Sequence, residues 1–340
     1  QALVRLVGQD PPRAPAVLLT TVNAALQRMP PRSSIKGTVF QAGIGATVEV
    51  GELIEFLVLN GYSRTGTVME TGEFATRGGI VDIFPAGEAT PLRLDFFGDT
   101  LENVRLFDPL TQITIGEGRT VNLVPASEVQ LTKETTARFR QGYRELFGTV
   151  TDDDPLYSSI REGRRHAGME HWLPLFHDNL ETLFDYVNAG VVTLDHRSLV
   201  ARDERLEQIR DYYDARVEAL KNPYDGAPIY KPVPAEGMFL DAVAWDKGIT
   251  GRMGGMFSPF SAPADPNTID FAGRQGRNFA AERAQAEINV FDALSDHVTA
   301  QHQAHRRVVF AAFSQGSAER MTLLLDDHGI EGVHRVEHWP

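Results

Sequence analysis

The sequence predicts a multidomain protein that combines α/β and α+β folds, with a small antiparallel α+β domain inserted into an α/β domain and a further α/β domain after it. Three observations lead to this prediction. The apolar segment "AVLLTTV" runs directly into the helical segment "NAALQRM", which is half of a βαβ unit and too short to form a sheet alone. Short strands and turn residues then replace this pattern, and helices return after them. The length of 340 residues also exceeds what one compact core usually holds.

These changes of pattern set the predicted domain boundaries. The predicted domains are the first half of the α/β domain (1–32), the inserted α+β domain (33–128), the second half of the α/β domain (129–222), and a linker with an additional, incomplete α/β domain (223–340). The chain has no initiator Met, and its last residues stop within a strand-like alternation. We therefore expect it to be part of a longer protein whose first domain begins upstream.

The inserted domain is predicted from its alternation of apolar and polar residues. In "PLRLDFFGDT", Leu92, Leu94 and Phe96 alternate with Arg93 and Asp95, and a Gly-Asp turn follows. The segment "GELIEFLVLNG" has the spacing of a short amphipathic helix. The apolar side of the strands is expected to pack on this helix, which leaves the polar pair pointing outward.

Helical patterns dominate after the inserted domain. They include "KETTARFRQGYRELF" and a long amphipathic helix that follows the apolar strand "GVVTLD". The segment "NPYDGAPIYKPVPAEG" is typical of a linker. In the last part we predict a helix around Phe291, a strand "RRVVFAAF", and a helix "GSAERMTLLLDDHG" that Gly329 closes at the C′ position.

Composition excludes several classes of protein. The formal net charge of −13 argues against wrapping duplex phosphate over a large area. Without cysteine there are no disulfides or thiolate metal sites, which fits a reducing compartment. No run of about 18 apolar residues would span a membrane, and no signal peptide opens the chain. We expect a cytoplasmic protein that has no membrane partner.

Motifs for catalysis are missing, so no catalytic residue and no cofactor are predicted for this chain. Gly43 and Gly45 lie in "AGIGATVEVG", which lacks the Gly-Lys-Ser/Thr of a phosphate-binding loop and is better read as a hairpin turn. The strand "GVVTLD" ends in Asp195, where motor ATPases hold magnesium, but His196 follows in place of the glutamate that polarises water. Asp195 also suits an N-cap for the next helix.

Two further clusters have simple explanations. His166, His171 and His177 do not have the spacing of a helical zinc site, so no metal site is predicted. Three arginines, Arg274, Arg277 and Arg283, could contact phosphate, although a solvated helix start explains them as well.

Arginines of the inserted domain are the remaining candidates. Arg64, Arg77, Arg93 and Arg105 interrupt an otherwise acidic stretch. Such residues on the outer side of strands usually face water. Several guanidinium groups on one antiparallel surface nevertheless form a plausible protein-docking face, because arginine is enriched at interfaces and binds carboxylates with two hydrogen bonds.

The motifs of this domain resemble a known family. They are G-Y-x-R, G-E-F-x-x-R-G, D-I-F-P-A, R-L-D-F-F-G-D and R-x-F-D-x-x-T-Q. Together they are similar to the second domain of the bacterial transcription-repair coupling factors (Mfd) and, more distantly, to the matching domain of the excision-repair helicase UvrB. The resemblance covers residues 1–220 well and residues 221–340 only weakly.

The resemblance implies a fold and a function. The α/β domain would be a remnant RecA-like domain, UvrB-like but degenerate, since His196 follows Asp195 where UvrB has Glu after Asp. The chain would be a non-catalytic recruitment module for nucleotide excision repair that binds UvrA. The longer protein would be an ATP-dependent DNA translocase, with ATP and magnesium in its motor domains. RNA polymerase and DNA would bind other parts, and a C-terminal domain would mask the UvrA-binding face.

The residues of the UvrA contact follow from the motifs. Carried over one by one, they are Arg64, Arg77, Arg93, Asp95 and Phe84. UvrB has a further arginine two residues before the Arg77 position, where this sequence has Ala75, so the contact would differ there. In this interpretation Arg77 is explained only by a partner, and the following Gly-Gly pair allows a bend or a close backbone approach.

Two other functions stay open at this point. The chain could be a fragment of UvrB itself, in which case a Gly-Lys-Thr loop must lie upstream. It could also bind DNA directly through the arginines between residues 274 and 283, although its negative charge counts against this.

Overall fold

The chain folds into two compact units, Gln1–Pro259 and Phe260–Pro340. The structure is a computed structural model, and it describes residues 2–8, 17–150, 154–187, 190–221, 230–260, 263, 265–273, 276–285, 287–330 and 332–336. Helices and strands are mixed, and the strands form several sheets, which confirms the predicted fold class.

Helices occur along the whole described chain. They are α1 (Ala2–Gly8), α2 (Val22–Leu26), α3 (Arg32–Ile35), α4 (Val50–Leu59), α5 (Lys133–Phe147), α6 (Pro155–Arg161), a 3₁₀ helix (Met169–Leu175), α7 (Leu183–Tyr186), α8 (Ser198–Lys221), α9 (Ala235–Met238), α10 (Ala242–Ile249), α11 (Ala280–Arg283), α12 (Val290–Gln303) and α13 (Gln315–Asp327). In the described residues, none of them is long and apolar enough to cross a membrane.

Most strands belong to the predicted inserted domain. They are β1 (Phe40–Gly43), β2 (Ser63–Arg64), β3 (Glu73–Arg77), β4 (Ile80–Ile83), β5 (Leu92–Phe97), β6 (Thr100–Phe107), β7 (Thr114–Gly118), β8 (Thr120–Leu123), β9 (Val192–Asp195) and β10 (Met253–Phe257). Six of them form one sheet in the order β2-β3-β4-β5-β6-β7, in which only the β2–β3 pair is parallel. β1 and β8 form a separate antiparallel pair.

One face of the six-stranded sheet packs on α4. Leu53 and Leu57 of the helix are fully buried against Phe74, Val81 and Leu94 of the sheet. Burying such side chains stabilises a fold by roughly 1.5–3 kcal/mol each. The predicted packing of the apolar residues of β5 on this helix is therefore confirmed, and the opposite side of the sheet is left for charged residues.

The turn between β3 and β4 explains the Gly-Gly pair. Arg77 pairs with Ile80, so Gly78 and Gly79 alone make the turn, and Gly78 has a positive φ of 60°. A Cβ atom on Gly79 would lie 2.7 Å from the carbonyl oxygen of Phe96. Because the neighbouring backbone comes this close, only glycine fits there, as the sequence predicts.

A layer of helices follows the inserted domain. The rings of Phe139 and Phe176 stack with their centroids 4.9 Å apart inside a cluster formed by α5, α6 and the 3₁₀ helix. The indole nitrogen of Trp172 donates a hydrogen bond to the carbonyl of Lys231 at 2.7 Å. Together with buried Val233, this bond attaches the chain beyond residue 230 to the cluster. Half of the predicted linker, residues 222–229, lies outside the described residues, and the other half, residues 230–237, includes this contact and the start of α9.

The α/β part of the first unit contains a small parallel sheet. β9 pairs with β10, and the predicted strand "GVVTLD" and the long helix α8 are both present. Leu26, Leu194 and Trp245 are buried together beneath this sheet. The first unit therefore includes α9 and α10, beyond the boundary predicted at residue 222.

Two predicted strands are wrong. Residues 17–20 of "AVLLTTV" are not in a strand, and Val17 and Leu19 are each 89% exposed. Residues 306–313, "RRVVFAAF", form no strand either. A strand exists only when a neighbour supplies hydrogen bonds, and within the described ranges neither segment has a strand partner. Ala16 lies outside the described residues.

The second unit is described by its helices. α12 and α13 each bury part of one side, through Val298 and Leu325 respectively. α13 ends at Asp327, and Gly329 follows with a φ of 70°. This is the predicted C′ glycine, and it is confirmed.

Candidate protein-docking face

Strand register places charged residues on one side of the six-stranded sheet. Residues directly opposite each other on neighbouring strands point to the same side. Ala75 pairs with Asp82, Asp82 with Arg93, Arg93 with Arg105, and Arg105 with Glu117. We call the side that carries this row, away from α4, the outer face. Arg93 and Arg105 therefore lie on a common surface, and Arg77, two residues after Ala75 on β3, points to the same side. Arg64 does not, because it pairs with Phe74, whose side chain packs toward α4.

Asp82 holds Arg93 in the middle of the outer face. The guanidinium donates two hydrogen bonds to this carboxylate, from Nε to Oδ1 at 2.7 Å and from Nη2 to Oδ2 at 3.0 Å. Asp82 is only 2% exposed, and Arg93 also covers the ring of Phe107 at 4.8 Å. The hydrogen bond with Asp82 raises the pKa of Arg93 above its ordinary value.

Asp95 is paired in the same way. It forms an ion pair with Arg105 of the neighbouring strand β6. The side chain of Asp95 is 17% exposed, compared with 40% for that of Arg105. We call Asp82–Arg93 and Asp95–Arg105 the interior pairs. Arg93 and Asp95 share the outer face as predicted, but each already has a partner of opposite charge within the sheet.

Arg64 and Arg77 differ from the interior pairs. Both are exposed, on β2 and on the end of β3 beside it. Arg64 Nη2 donates to Thr76 Oγ1 at 2.6 Å, and Arg77 Nη2 donates to the carbonyl of Gly66 at 2.7 Å. These acceptors are uncharged. We call Arg64 and Arg77 the edge arginines; within the described residues neither has a carboxylate partner.

The contact with Gly66 corrects one prediction. From the sequence, Arg77 is expected to have no role other than binding a partner protein. In the structure, its side chain also holds the loop between β2 and β3. This loop, residues 65–72, places Val68 against Ala75 and Phe107 on the outer face. At its other side, Gln112 Nε2 donates to the carbonyl of Val68 at 3.0 Å.

Phe84 does not agree with its predicted role. Its side chain is 8% exposed and belongs to the small cluster of Val68, Ala75 and Phe107. Because the loop covers this cluster, the ring of Phe84 is not available to a partner in this conformation. Ala75, at 2% exposure, is part of the same covered cluster.

Exposed apolar residues surround the outer face. Phe97 is 76% exposed at the turn between β5 and β6, which lies at the same end of the sheet as the β3–β4 turn and Arg77. Ile113 and Ile115 are 65% and 63% exposed at the edge strand β7. Large exposed side chains beside cations are typical of contact surfaces.

Two residues of the outer face were not predicted from sequence. Asp82 could have been found, because an acidic residue between Val81 and Ile83 in an apolar strand needs a buried partner. The role of Gln112 on the outer face was harder to predict from the sequence. This residue adopts a positive φ of 60°, which the sequence around it does not indicate.

At the predicted degenerate nucleotide site, Asp195 makes the hydrogen bonds of a helix cap. Asp195 Oδ1 accepts hydrogen bonds from the backbone nitrogen of Arg197 at 2.7 Å and from Ser198 Oγ at 3.2 Å. These bonds, chiefly the one from Arg197, lower the pKa of Asp195. Asp195 and His196 therefore stand at the start of α8. In the part of the chain that the structure describes, no three acidic or histidine residues are grouped to hold a metal ion.

The arginines considered for DNA contact are engaged locally. Arg277 pairs with Glu282 and lies 4.7 Å from the centroid of the Phe279 ring. Arg283 Nη2 donates to the carbonyl of Asn278 at 2.8 Å. Arg274 lies outside the described residues.

Comparison with known proteins supports the resemblance seen in the motifs. Residues 40–129 match the family described as the UvrB interaction domain. The chain is 35% identical over 200 residues to the transcription-repair-coupling factor of Escherichia coli (strain K12), covering 58% of this chain and 17% of the relative. It is 28% identical over 334 residues to that of Myxococcus xanthus, covering 94% of this chain and 27% of the relative.

A further relative shows how much of these proteins is covered. The transcription-repair-coupling factor of Rickettsia bellii (strain RML369-C) is 26% identical over 313 residues, which is 92% of this chain and 27% of the relative. The chain thus spans about a quarter or less of the length of the curated relatives it matches. The resemblance drawn from the motifs is confirmed: residues 40–129 match the UvrB interaction domain family, and the chain is similar to transcription-repair-coupling factors.

Proposed function

We propose that this chain is a non-catalytic recruitment module of a transcription-repair coupling factor and that it binds UvrA through the outer face of its six-stranded sheet. The observation that carries this proposal is the exposure of Arg77 on the outer face, with Arg64 beside it on the edge strand β2; the acceptors of both are uncharged. An exposed guanidinium that is held in place but not neutralised can still bind a carboxylate of a partner with two hydrogen bonds.

The interior pairs serve the same surface in another way. Asp82 and Arg93 neutralise each other, and so do Asp95 and Arg105. The N–H groups and carboxylate oxygens of these pairs that are not used within the sheet present a fixed pattern of charge. Such a pattern favours one orientation and register of a docked partner. Phe97, near Arg77, supplies apolar area that a partner can cover.

The proposal extends to the longer protein. In it, RNA polymerase and DNA bind other parts, ATP hydrolysis drives translocation in motor domains, and a C-terminal domain covers the outer face until UvrA is needed. The module acts in the cytoplasm and needs no cofactor of its own. A fragment of UvrB is the weaker alternative, because the relatives described above are coupling factors. DNA binding by the second unit is also disfavoured, since Arg277 is paired with Glu282.

A binding experiment tests the UvrA contact. Purified UvrA is immobilised on a biosensor and titrated with this chain, then with Arg64→Glu and Arg77→Glu variants. Reversing the charge of an interface arginine is expected to weaken binding at least about tenfold, since truncating such residues often costs on the order of 2 kcal/mol. Arg210→Glu, an exposed arginine of α8, is the matched control.

The outcomes separate the proposal from its alternatives. Binding that is lost in Arg77→Glu and kept in the control supports the outer face, and loss in Arg64→Glu as well shows that the contact includes the edge strand β2. Equal binding by all variants places the contact elsewhere, and no binding by the unaltered chain contradicts the recruitment function itself.

A further inference from the structure

A cleft in the first unit combines cations that the proposed docking face does not use. Its volume is about 1090 Å³. One wall comes from α1 and α3, and the other from β1, β8 and the turn that contains Ala86 and Glu88. This volume is at the upper end of the range for small-molecule sites, which are often found between structural layers.

Positive charge dominates the cleft. Arg5, Arg32 and Lys36 line it, and Glu88 is the one acidic residue among the lining residues that the structure describes. Arg32 is fixed in place, because its backbone nitrogen donates to Glu181 Oε2 at 3.1 Å. Arg5 and Lys36 are exposed, and within the described chain no carboxylate forms an ion pair with either.

The charge of the cleft is opposite in sign to that of the whole chain. The chain carries a formal charge of −13, whereas three cations and one acid line the cleft among the described residues. A concave wall concentrates the electric field of such groups and raises the local concentration of anions. Arg5 and Lys36, which form no ion pair with a carboxylate of the described chain, retain their full attraction for a ligand.

The remaining lining residues define the chemistry of the anion. Ser33, Gln41 and Asn122 offer hydrogen bonds, and Val4, Ile35 and Val124 offer aliphatic contact. Among the described lining residues there is no aromatic ring on which a nucleic-acid base could stack. Lysine and arginine are the usual ligands of phosphate, and three of them suit several linked phosphate groups better than a single carboxylate.

We propose that this cleft is a binding site for linked phosphate groups, separate from the outer face and independent of UvrA. The phosphates belong either to a free polyphosphate chain, such as that of a nucleotide, or to the backbone of a single nucleic-acid strand. Recognition is through charge and hydrogen bonds and does not depend on the base.

The test uses two probes on the whole chain at low ionic strength. Sodium tripolyphosphate is titrated by calorimetry, and a fluorescent ten-residue oligothymidylate is titrated by anisotropy. Binding of tripolyphosphate alone identifies a free polyphosphate site, whereas binding of both probes identifies a site for the backbone as well. For the oligonucleotide, three phosphate contacts predict a slope of about −2 for log K against log salt.

Variants connect binding to the cleft. Lys36→Glu is expected to weaken binding at least about tenfold and to reduce the salt slope, because it removes one cation and adds an anion. Glu88→Gln is expected to tighten binding, since it removes the opposing charge. Arg64→Glu, on the edge strand β2 of the six-stranded sheet, is the matched control and should bind both probes as the unaltered chain does.

Two results would overturn the inference. One is the absence of binding by either probe at millimolar concentration. The other is equal binding by Lys36→Glu and the unaltered chain while both have the same unfolding temperature, because the anion would then bind elsewhere. UvrA is absent from these titrations, so their failure leaves the proposed docking function unaffected.

Discussion

The interior of the outer face and the edge of the same sheet contain the same residue type in two different states. In the interior, Arg93 is bound by the buried carboxylate of Asp82, and Arg105 is paired with Asp95. At the edge, Arg64 and Arg77 are exposed and donate to uncharged oxygens. A motif that contains an arginine therefore does not identify a docking residue by itself. Its partners within the fold decide whether its charge stabilises the sheet or is available to another protein.

The largest effect is expected from breaking the buried interior pair. Asp82→Ala leaves the largely buried Arg93 without its carboxylate, and we expect the free energy of unfolding to fall by about 3 kcal/mol. Urea denaturation followed by circular dichroism measures this change. A double variant, Asp82→Leu with Arg93→Met, should recover much of the loss, because no charge is then left unpaired. A loss below about 0.5 kcal/mol in Asp82→Ala would show that the pair does not stabilise the sheet.

The turn that joins the edge strand to the interior is the next most sensitive position. Gly79→Ala would place a Cβ atom 2.7 Å from the carbonyl oxygen of Phe96, and shifting this backbone should cost about 2 kcal/mol. Gly51→Ala in α4 is a matched control, since nothing lies within 4 Å of the added atom. Equal unfolding midpoints for the two variants would contradict the close approach of the strands.

A smaller effect is expected at the second interior pair. Arg105 is 40% exposed, so solvent weakens its attraction to Asp95, and Arg105→Ala should cost about 0.5–1 kcal/mol. The loss should shrink at high salt, which screens exposed charges. Denaturation at two salt concentrations measures the difference. If Arg105→Ala cost as much free energy of unfolding as Asp82→Ala, the difference in burial would not determine how strongly each pair stabilises the sheet.

The smallest change in stability is expected at the edge. Arg77→Ala removes two exposed hydrogen bonds, to the carbonyl of Gly66 and, at 3.4 Å, to Thr67 Oγ1, so the free energy of unfolding should change by about 0.5 kcal/mol or less. Arg64→Ala should behave in the same way, because its bond to Thr76 is also exposed. If either variant unfolded as readily as Asp82→Ala, the edge arginines would be structural residues like Arg93.

Much of the fold follows from local patterns. Alternation of residue types predicts β5, and the apolar spacing of "GELIEFLVLNG" predicts α4. The strands predicted at "AVLLTTV" and "RRVVFAAF" are absent because an apolar run becomes a strand only beside a partner. The sequence of the run itself contains no information about that partner.

The candidate site was predictable only in part. Alternation in β5 correctly places Arg93 and Asp95 on one side of the sheet. The partners that neutralise them, Asp82 and Arg105, come from neighbouring strands and depend on register. The burial of Phe84 likewise results from a loop that folds over it, which no local pattern indicates. The assignment of individual residues to a UvrA contact stays a prediction.

Binding of UvrA by the Arg77→Glu variant shows whether Arg77 is a docking residue. Arg77 is exposed and contributes little to stability, so this variant should keep the unfolding temperature of the unaltered chain. Its affinity for UvrA should fall at least about tenfold, while Arg210→Glu should bind normally. Unchanged affinity in a correctly folded Arg77→Glu variant would contradict the claim that the edge arginines form the docking contact.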